Sequence, residues 1–174
     1  MQKLINFIYK LLLSAIFVFA FSSLSKAQVG IHLGGGLIYG TEVEQLGLNG
    51  RATFRFGNWR IAPGVDYFFP EKSGGLKVTV WSVNVDGNYV FDLPSGLVSP
   101  YVLAGLNFTT LTVKLDDNSL FDEDGSNTEL GLNIGGGVDF NLKVVNPFIE
   151  FKYVLGEADQ GVLAFGVKFG IGRK

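Results

Sequence analysis

Leu163-Ala164-Phe165-Gly166-Val167-Lys168-Phe169-Gly170-Ile171 alternates without a break. Leu163, Phe165, Val167, Phe169 and Ile171 fall on one side, and Ala164, Gly166, Lys168 and Gly170 on the other. Period-two alternation marks a β-strand whose two faces meet different surroundings. Working back from this stretch, the same pattern restarts until eight runs are counted between Val29 and Ile171, at roughly 29–40, 46–57, 59–69, 76–91, 100–114, 129–142, 147–155 and 161–172. With eight such runs, the fold class expected is all-β: an eight-stranded antiparallel up-and-down transmembrane β-barrel preceded by a signal peptide.

The connections support an up-and-down order. Thr41 to Gln45, Pro70 to Gly75, the acidic segment Leu115 to Thr128, and Gly156 to Gln160 form one set, longer and more polar. Gly57-Asn58, Asp92 to Gly96, and Lys143 to Asn146 form the other, compact and rich in turn formers. Short turns on one rim and longer loops on the other are what membrane barrels show. An even strand count also brings both chain ends to the short-turn rim.

At 174 residues the chain supports one domain. Its 24 glycines and 16 phenylalanines are unusual for a soluble all-β domain. There is no cysteine, hence no disulfide framework and no thiolate metal site. Residues 1–27 read as a signal peptide: Lys3 and Lys10 lie at the basic end, Leu11 to Phe21 are mostly apolar, and Ser25-Lys26-Ala27 offers small residues for cleavage before Gln28. A transmembrane helix would need about 20 apolar residues, which this stretch does not reach. Residues 28–174 then form the barrel domain. Three of the 14 bases precede the cleavage point, which leaves 11 bases against 16 acids, a net of −5. That balance gives no reason to expect a nucleic-acid partner.

Alternation alone does not say which face looks outward. The polar face carries Arg51, Arg55, Arg60, Lys152 and Lys168 against Asp66, Asp86, Asp139 and Glu150, with asparagines and with glycines at 34, 36, 47, 64, 131, 135 and 137. Inside a narrow barrel such glycines make room for long side chains from neighbouring strands. The other face carries Ile31, Leu33, Leu48, Phe54, Val85, Leu106, Leu132 and Phe151, with aromatics toward its ends. Trp59, Tyr89 and Phe91 lie toward one rim, and Tyr39, Tyr67 and Trp81 toward the other, as in the girdles of membrane barrels. A Lys or Arg on the lipid face is destabilising by about 2–4 kcal/mol near mid-bilayer. In a membrane the charges must therefore point inward.

On these features the chain resembles the small eight-stranded outer-membrane barrels of the OmpA and OmpX type. More specifically it resembles the outer membrane protein β-barrel domain family of Bacteroidetes. The residues that carry the resemblance are Ser25-Lys26-Ala27-Gln28, Pro100-Tyr101-Val102-Leu103-Ala104-Gly105-Leu106, Ile134-Gly135-Gly136-Gly137-Val138-Asp139 and Phe165-Gly166-Val167-Lys168-Phe169. The resemblance implies residence in the cell outer membrane, with outer-membrane lipid and, during biogenesis, the barrel-assembly machinery as partners. Many such barrels end on an aromatic, whereas here Phe169 is followed by Gly170-Ile171-Gly172-Arg173-Lys174.

No chemistry-bearing motif passes its context test. Gly34-Gly35-Gly36 and Gly135-Gly136-Gly137 precede no helical pattern and no Lys-Ser/Thr, so a phosphate loop is excluded. If Gly125 took the sixth position of a calcium loop, the first ligand would be Leu120, which cannot coordinate. Asp116–Asn127 then reads as a solvated loop, with a looser Ca²⁺ site left open. His32 is the only histidine, and is expected to be a hydrogen-bonded lumen group rather than a catalytic one. No cofactor, metal or catalytic residue is expected. An interior eight strands wide is filled by side chains, so the nine interior charges are expected to pair and plug it. The resulting expectation is a monomeric, non-enzymatic barrel with a structural or surface-interaction role. A narrow channel for ions or small solutes is the second reading, and a secreted lipocalin-like ligand-binding barrel the third.

Overall fold

The computed structural model describes residues 30–73, 76–115, 125–142, 144–156 and 159–171. The expected signal segment and its cleavage site, the centre of the acidic segment and residues 172–174 lie outside the described residues. Nine strands are present among the described residues: β1 (Gly30–Gly40), β2 (Gln45–Phe56), β3 (Trp59–Phe68), β4 (Glu71–Ser73), β5 (Leu76–Val90), β6 (Val98–Leu115), β7 (Gly125–Phe140), β8 (Asn146–Leu155) and β9 (Gln160–Gly170). Neighbours pair antiparallel, β3 pairs with β5, and β1 pairs with β9, so the sheet closes on itself. The barrel has eight staves. The extra strand, β4, is a three-residue continuation that pairs with the start of β5. Pro70, which has no N–H to give a ladder, lies in the gap between β3 and β4.

The turns form where the chain places residues that tolerate them. Gly57 has φ +59° in the two-residue β2–β3 hairpin, a left-handed conformation that glycine adopts freely. Gly96 has φ +64° in the β5–β6 turn, and its carbonyl accepts from Asn141 Nδ2 at 3.0 Å. The contrast between rims differs from expectation in its origin. The β5–β6 connection is longer than the β1–β2 turn. What distinguishes the far rim is that β5, β6 and β7, at 15, 18 and 16 residues, run past the 9–11 needed to cross a bilayer. Part of the Leu115–Thr128 segment, expected to be loop, is therefore strand: β6 reaches Leu115 and β7 begins at Gly125. The β-branched Thr109, Thr110 and Thr112 of β6 suit a strand, and the Thr110 and Thr128 hydroxyls meet at 3.0 Å.

The two faces separate cleanly. On β3, Arg60, Ala62, Asp66 and Phe68 are buried while Trp59, Ile61, Val65 and Tyr67 are exposed. On β8, Phe148, Glu150, Lys152 and Val154 are buried while Ile149, Phe151 and Leu155 are exposed. A secreted lipocalin-like barrel has its apolar side inside, so this arrangement excludes that reading. Aromatic rungs bound the apolar face. Trp59 pairs across to Tyr89 at one end of the β3–β5 ladder, and Tyr67 to Trp81 at the other. Eight residue steps separate the rungs, or about 21 Å at ~3.4 Å per residue and ~40° tilt, close to the ~25 Å apolar band of membrane barrels. Trp59, Tyr89 and Phe91 contact edge to face, with ring centroids 5.1 Å apart at each step. Tyr39 stands outward on β1, beside Leu46 and Leu163.

Val85 lies midway between the rungs and is exposed. Val85→Arg is expected to destabilise the folded barrel in lipid vesicles by about 2–4 kcal/mol. An unchanged urea unfolding midpoint would place Val85 away from lipid.

Candidate functional site

The interior is built from inward positions of all eight staves, and small residues opposite the long ones let it fill. Arg51 lies across from Gly34 and Gly64, Glu150 from Gly137, Lys152 from Gly135, and Asp86 from Gly105. Lys168 shares Gly34 from the β9 side. A glycine beside a buried charge leaves room for its stem to cross the lumen.

Three groups of polar contacts result. Nearest the termini, Asp139 accepts from Arg60 Nη1 at 2.5 Å and also from Lys168 Nζ. The Tyr101 ring lies under both cations, 4.2 Å from the Arg60 guanidinium carbon and 5.6 Å from Lys168 Nζ. At mid-height, Glu150 Oε2 accepts from Arg51 Nη1 at 2.8 Å and from the Tyr101 hydroxyl at 2.7 Å. Arg51 also donates to Asn49 Oδ1 at 2.6 Å and stacks 4.5 Å from the Phe148 ring centroid. In the third group, Asp66 accepts from Lys152 Nζ and Asn84 Nδ2, each at 2.9 Å, and from Asn49. Asn84 in turn accepts from Asn107 at 2.8 Å and Asn133 at 2.9 Å, while Asp86 accepts from Asn133 at 2.7 Å. Asp66, Asp139 and Glu150 each accept from more than one buried donor, as a low-dielectric interior favours.

Of the nine charges expected in the lumen, eight are there. Arg55 is the exception and corrects the expected count. Its guanidinium reaches the termini rim, where it pairs with Asp92 at 2.6 and 2.8 Å, and the two side chains are 30% and 56% exposed. Such an exposed pair contributes about 0–1 kcal/mol. With Arg55 outside, four bases (Arg51, Arg60, Lys152, Lys168) face four acids (Asp66, Asp86, Asp139, Glu150), and these interior charges balance.

Sequence reasoning missed the aromatic members. Tyr101 and Phe148 are 2% and 1% exposed and bridge the charged groups. Parity contains the signal: Tyr101 shares its face with Asn107, and Phe148 with Glu150 and Lys152. Also missed was an apolar layer toward the far rim, where Ile38, Phe68, Val80, Val154, Val162 and Ala164 join Phe148 in one buried cluster. His32 is half-buried on β1, opposite Thr53 and Gly170. Among the described residues, no three His, Cys, Asp or Glu side chains lie close enough to hold a metal ion. The segment considered for Ca²⁺, Asp116–Asn127, falls mostly outside the described residues.

Several solved barrels superpose on this one. The N-terminal β-barrel domain of Pseudomonas aeruginosa OprF has a TM-score of 0.65 at 17% identity, covering 84% of this chain and 100% of that one. Neisserial surface protein A has a TM-score of 0.61 at 20% identity, covering 82% and 97%. Ail, the attachment invasion locus protein of Yersinia pestis, gives 0.61 at 17% identity, covering 82% and 97%, in a complex with the heparin analogue sucrose octasulfate. At these identities the likeness carries the fold. No curated protein matches the sequence significantly. The closed eight-stave barrel, its apolar exterior and a match over residues 11–153 agree: the chain belongs to the outer membrane protein β-barrel domain family and is an outer-membrane protein.

Proposed function

We propose that this protein is a closed, non-enzymatic barrel whose role is structural or surface-interacting, the lumen serving as a plug and the far rim as the working surface. The filled interior carries this reading. Three acids hold four cations by direct ion pairs, and an apolar layer lies beyond them. An ion following the axis would have to displace buried pairs that lose their compensation when opened. The far rim is the face that strands β5 to β7 extend, and so the one offered to partners. Export by a signal segment cleaved after Ala27, insertion by the assembly machinery and a monomeric state complete the reading.

Ail carries a sulfated heparin analogue in its structure. One recess of the far rim is lined by Glu42, Glu129 and Asp159, which disfavours a polyanionic guest in that recess.

Planar-bilayer recordings of the purified barrel test the plug. No steady conductance steps of porin size are expected; a stable open level in the unmodified protein would replace this reading with the channel. Labelling Asn127→Cys on intact cells with a membrane-impermeant thiol reagent tests the orientation. Labelling only after the outer membrane is broken would put this rim in the periplasm.

A further inference from the structure

Above the Tyr67–Trp81 rung, the outer face of the far rim changes chemistry row by row. Val80 is buried and Val78 packs on the same inner cluster, so Thr79 and Lys77 share the outer face with Trp81. Register carries these positions across the neighbouring strands. Trp81 stands beside Tyr67 on β3 and Thr110 on β6, and Thr110 beside Thr128 on β7. One row further out, Thr79 stands beside Thr112, and Thr112 beside Ser126. The next row is Lys72 on β4, Lys77 on β5 and Lys114 on β6, each directly opposite the next. Among the described residues these rows hold no acid: Glu71 lies opposite Val78 and Glu129 opposite Thr109, in the inner series.

Like charges directly opposite one another destabilise a sheet, and Lys77 has one on each side. Lysine often guards an edge strand against unwanted pairing. Here β5 lies between β4 and β6, and β6 between β5 and β7, so Lys77 and Lys114 guard no edge. The height of the row supplies a different reason. Successive rows on one face are two residues apart, or about 5 Å at ~3.4 Å per residue and ~40° tilt. The hydroxyl row therefore stands about 5 Å beyond the aromatic rung, and the lysine row about 10 Å beyond it. The headgroup layer is roughly 5–8 Å deep on each side of the hydrocarbon. With Trp81 and Tyr67 marking the interface, the hydroxyls fall within that layer and the lysines at its outer edge. Ammonium and hydroxyl donors together suit phosphate oxygens, which accept charge-assisted hydrogen bonds. We infer that the outer face of β4 to β6 binds the phosphate groups of anionic lipids in the surrounding leaflet. Lys72, Lys77 and Lys114 supply the charge, and Thr79 and Thr112 the neutral donors. Such binding needs outer-membrane residence but not the plug: a conducting barrel would leave it standing, and its absence would leave the plug intact.

Quenching of Trp81 by lipid tests the inference at the site itself. The full-length barrel carries Trp59→Phe, which leaves Trp81 as its one tryptophan. It is reconstituted into phosphatidylcholine vesicles that contain a small fraction of either phosphatidic acid or phosphatidylcholine with brominated acyl chains. Brominated phosphatidic acid is expected to quench Trp81 with the higher apparent affinity, by roughly fivefold for each lysine engaged. Changing Lys72, Lys77 and Lys114 together to Gln should make the two lipids quench equally while the folded band on unboiled gels persists. Lys77→Gln alone serves if that variant fails to fold, and should lower the preference by roughly fivefold. Equal quenching by the two lipids with all three lysines in place overturns the inference, as does a preference that survives their removal from a folded barrel. Loss of the preference on adding inorganic phosphate, against chloride at matched ionic strength, would assign the row to a free anion and overturn it as well.

Discussion

Glu150→Ala is expected to destabilise the folded barrel by about 3–5 kcal/mol, the range for removing one partner from a buried ion pair. It should appear as a lower temperature at which the compact gel band converts to the unfolded one. Glu150 is 2% exposed, and a single oxygen holds both Arg51 and the Tyr101 hydroxyl. Its loss leaves the Arg51 guanidinium, on a side chain 8% exposed, facing Asn49 and the Phe148 ring with no anion in contact. Glu150→Gln keeps the volume and an acceptor, and should fall between. The double change Arg51→Leu with Glu150→Leu removes both charges and should recover much of the loss, because the larger penalty belongs to the orphaned cation. Heat conversion of Glu150→Ala at the unmodified temperature would mean that water already reaches Arg51, and the plugged lumen would then have to be given up.

Gly166→Val is expected to abolish most folding, seen as loss of the compact gel band after refolding into vesicles. Gly166 and Gly36 face each other across β9 and β1, the seam where the first and last strands close the ring. A Cβ on Gly166 would stand 2.6 Å from Gly36 Cα and would overlap the Gly35 carbonyl oxygen. Those atoms are backbone, so the clash is relieved only by parting the seam. Overpacking typically destabilises by about 1–3 kcal/mol, and each ladder hydrogen bond lost adds about 0.5–1.5. Gly50→Val is the matched control. Gly50 also sits in mid-strand, but a Cβ there meets no atom within 4 Å. A normal folded yield for Gly166→Val would show that the seam is looser than its geometry.

Much of the barrel was legible in the chain because the informative signals are local. Successive side chains in a strand point to opposite sides, so the alternation from Leu163 to Ile171 declares both the element and its two environments. Gly57 and Gly96 mark turns for an equally local reason, their positive φ. Arg55 shows where parity stops being sufficient. It lies on the inward-facing series, but near a strand end its long side chain can reach out of the barrel to Asp92. The acidic segment shows a second limit. Its polar composition predicts a loop from Leu115 to Thr128, yet pairing between neighbouring strands carries β6 to Leu115 and starts β7 at Gly125. Once two long strands are in register, the ladder continues through residues whose own preference is for solvent.

By itself, the sequence determined the eight staves, the tight turns, the outward apolar face and the need to bury the charges. Each follows from side-chain chemistry at a period of two. Only the tertiary structure decided that Asp139 meets Arg60 and Lys168, that Glu150 meets Arg51 and Tyr101, and that a Gly36–Gly166 pair closes the ring. Those partners lie on different strands, and which of them reach the same height depends on strand tilt and on the register stagger accumulated around the barrel. That stagger belongs to the closed sheet as a whole, and no single strand carries it.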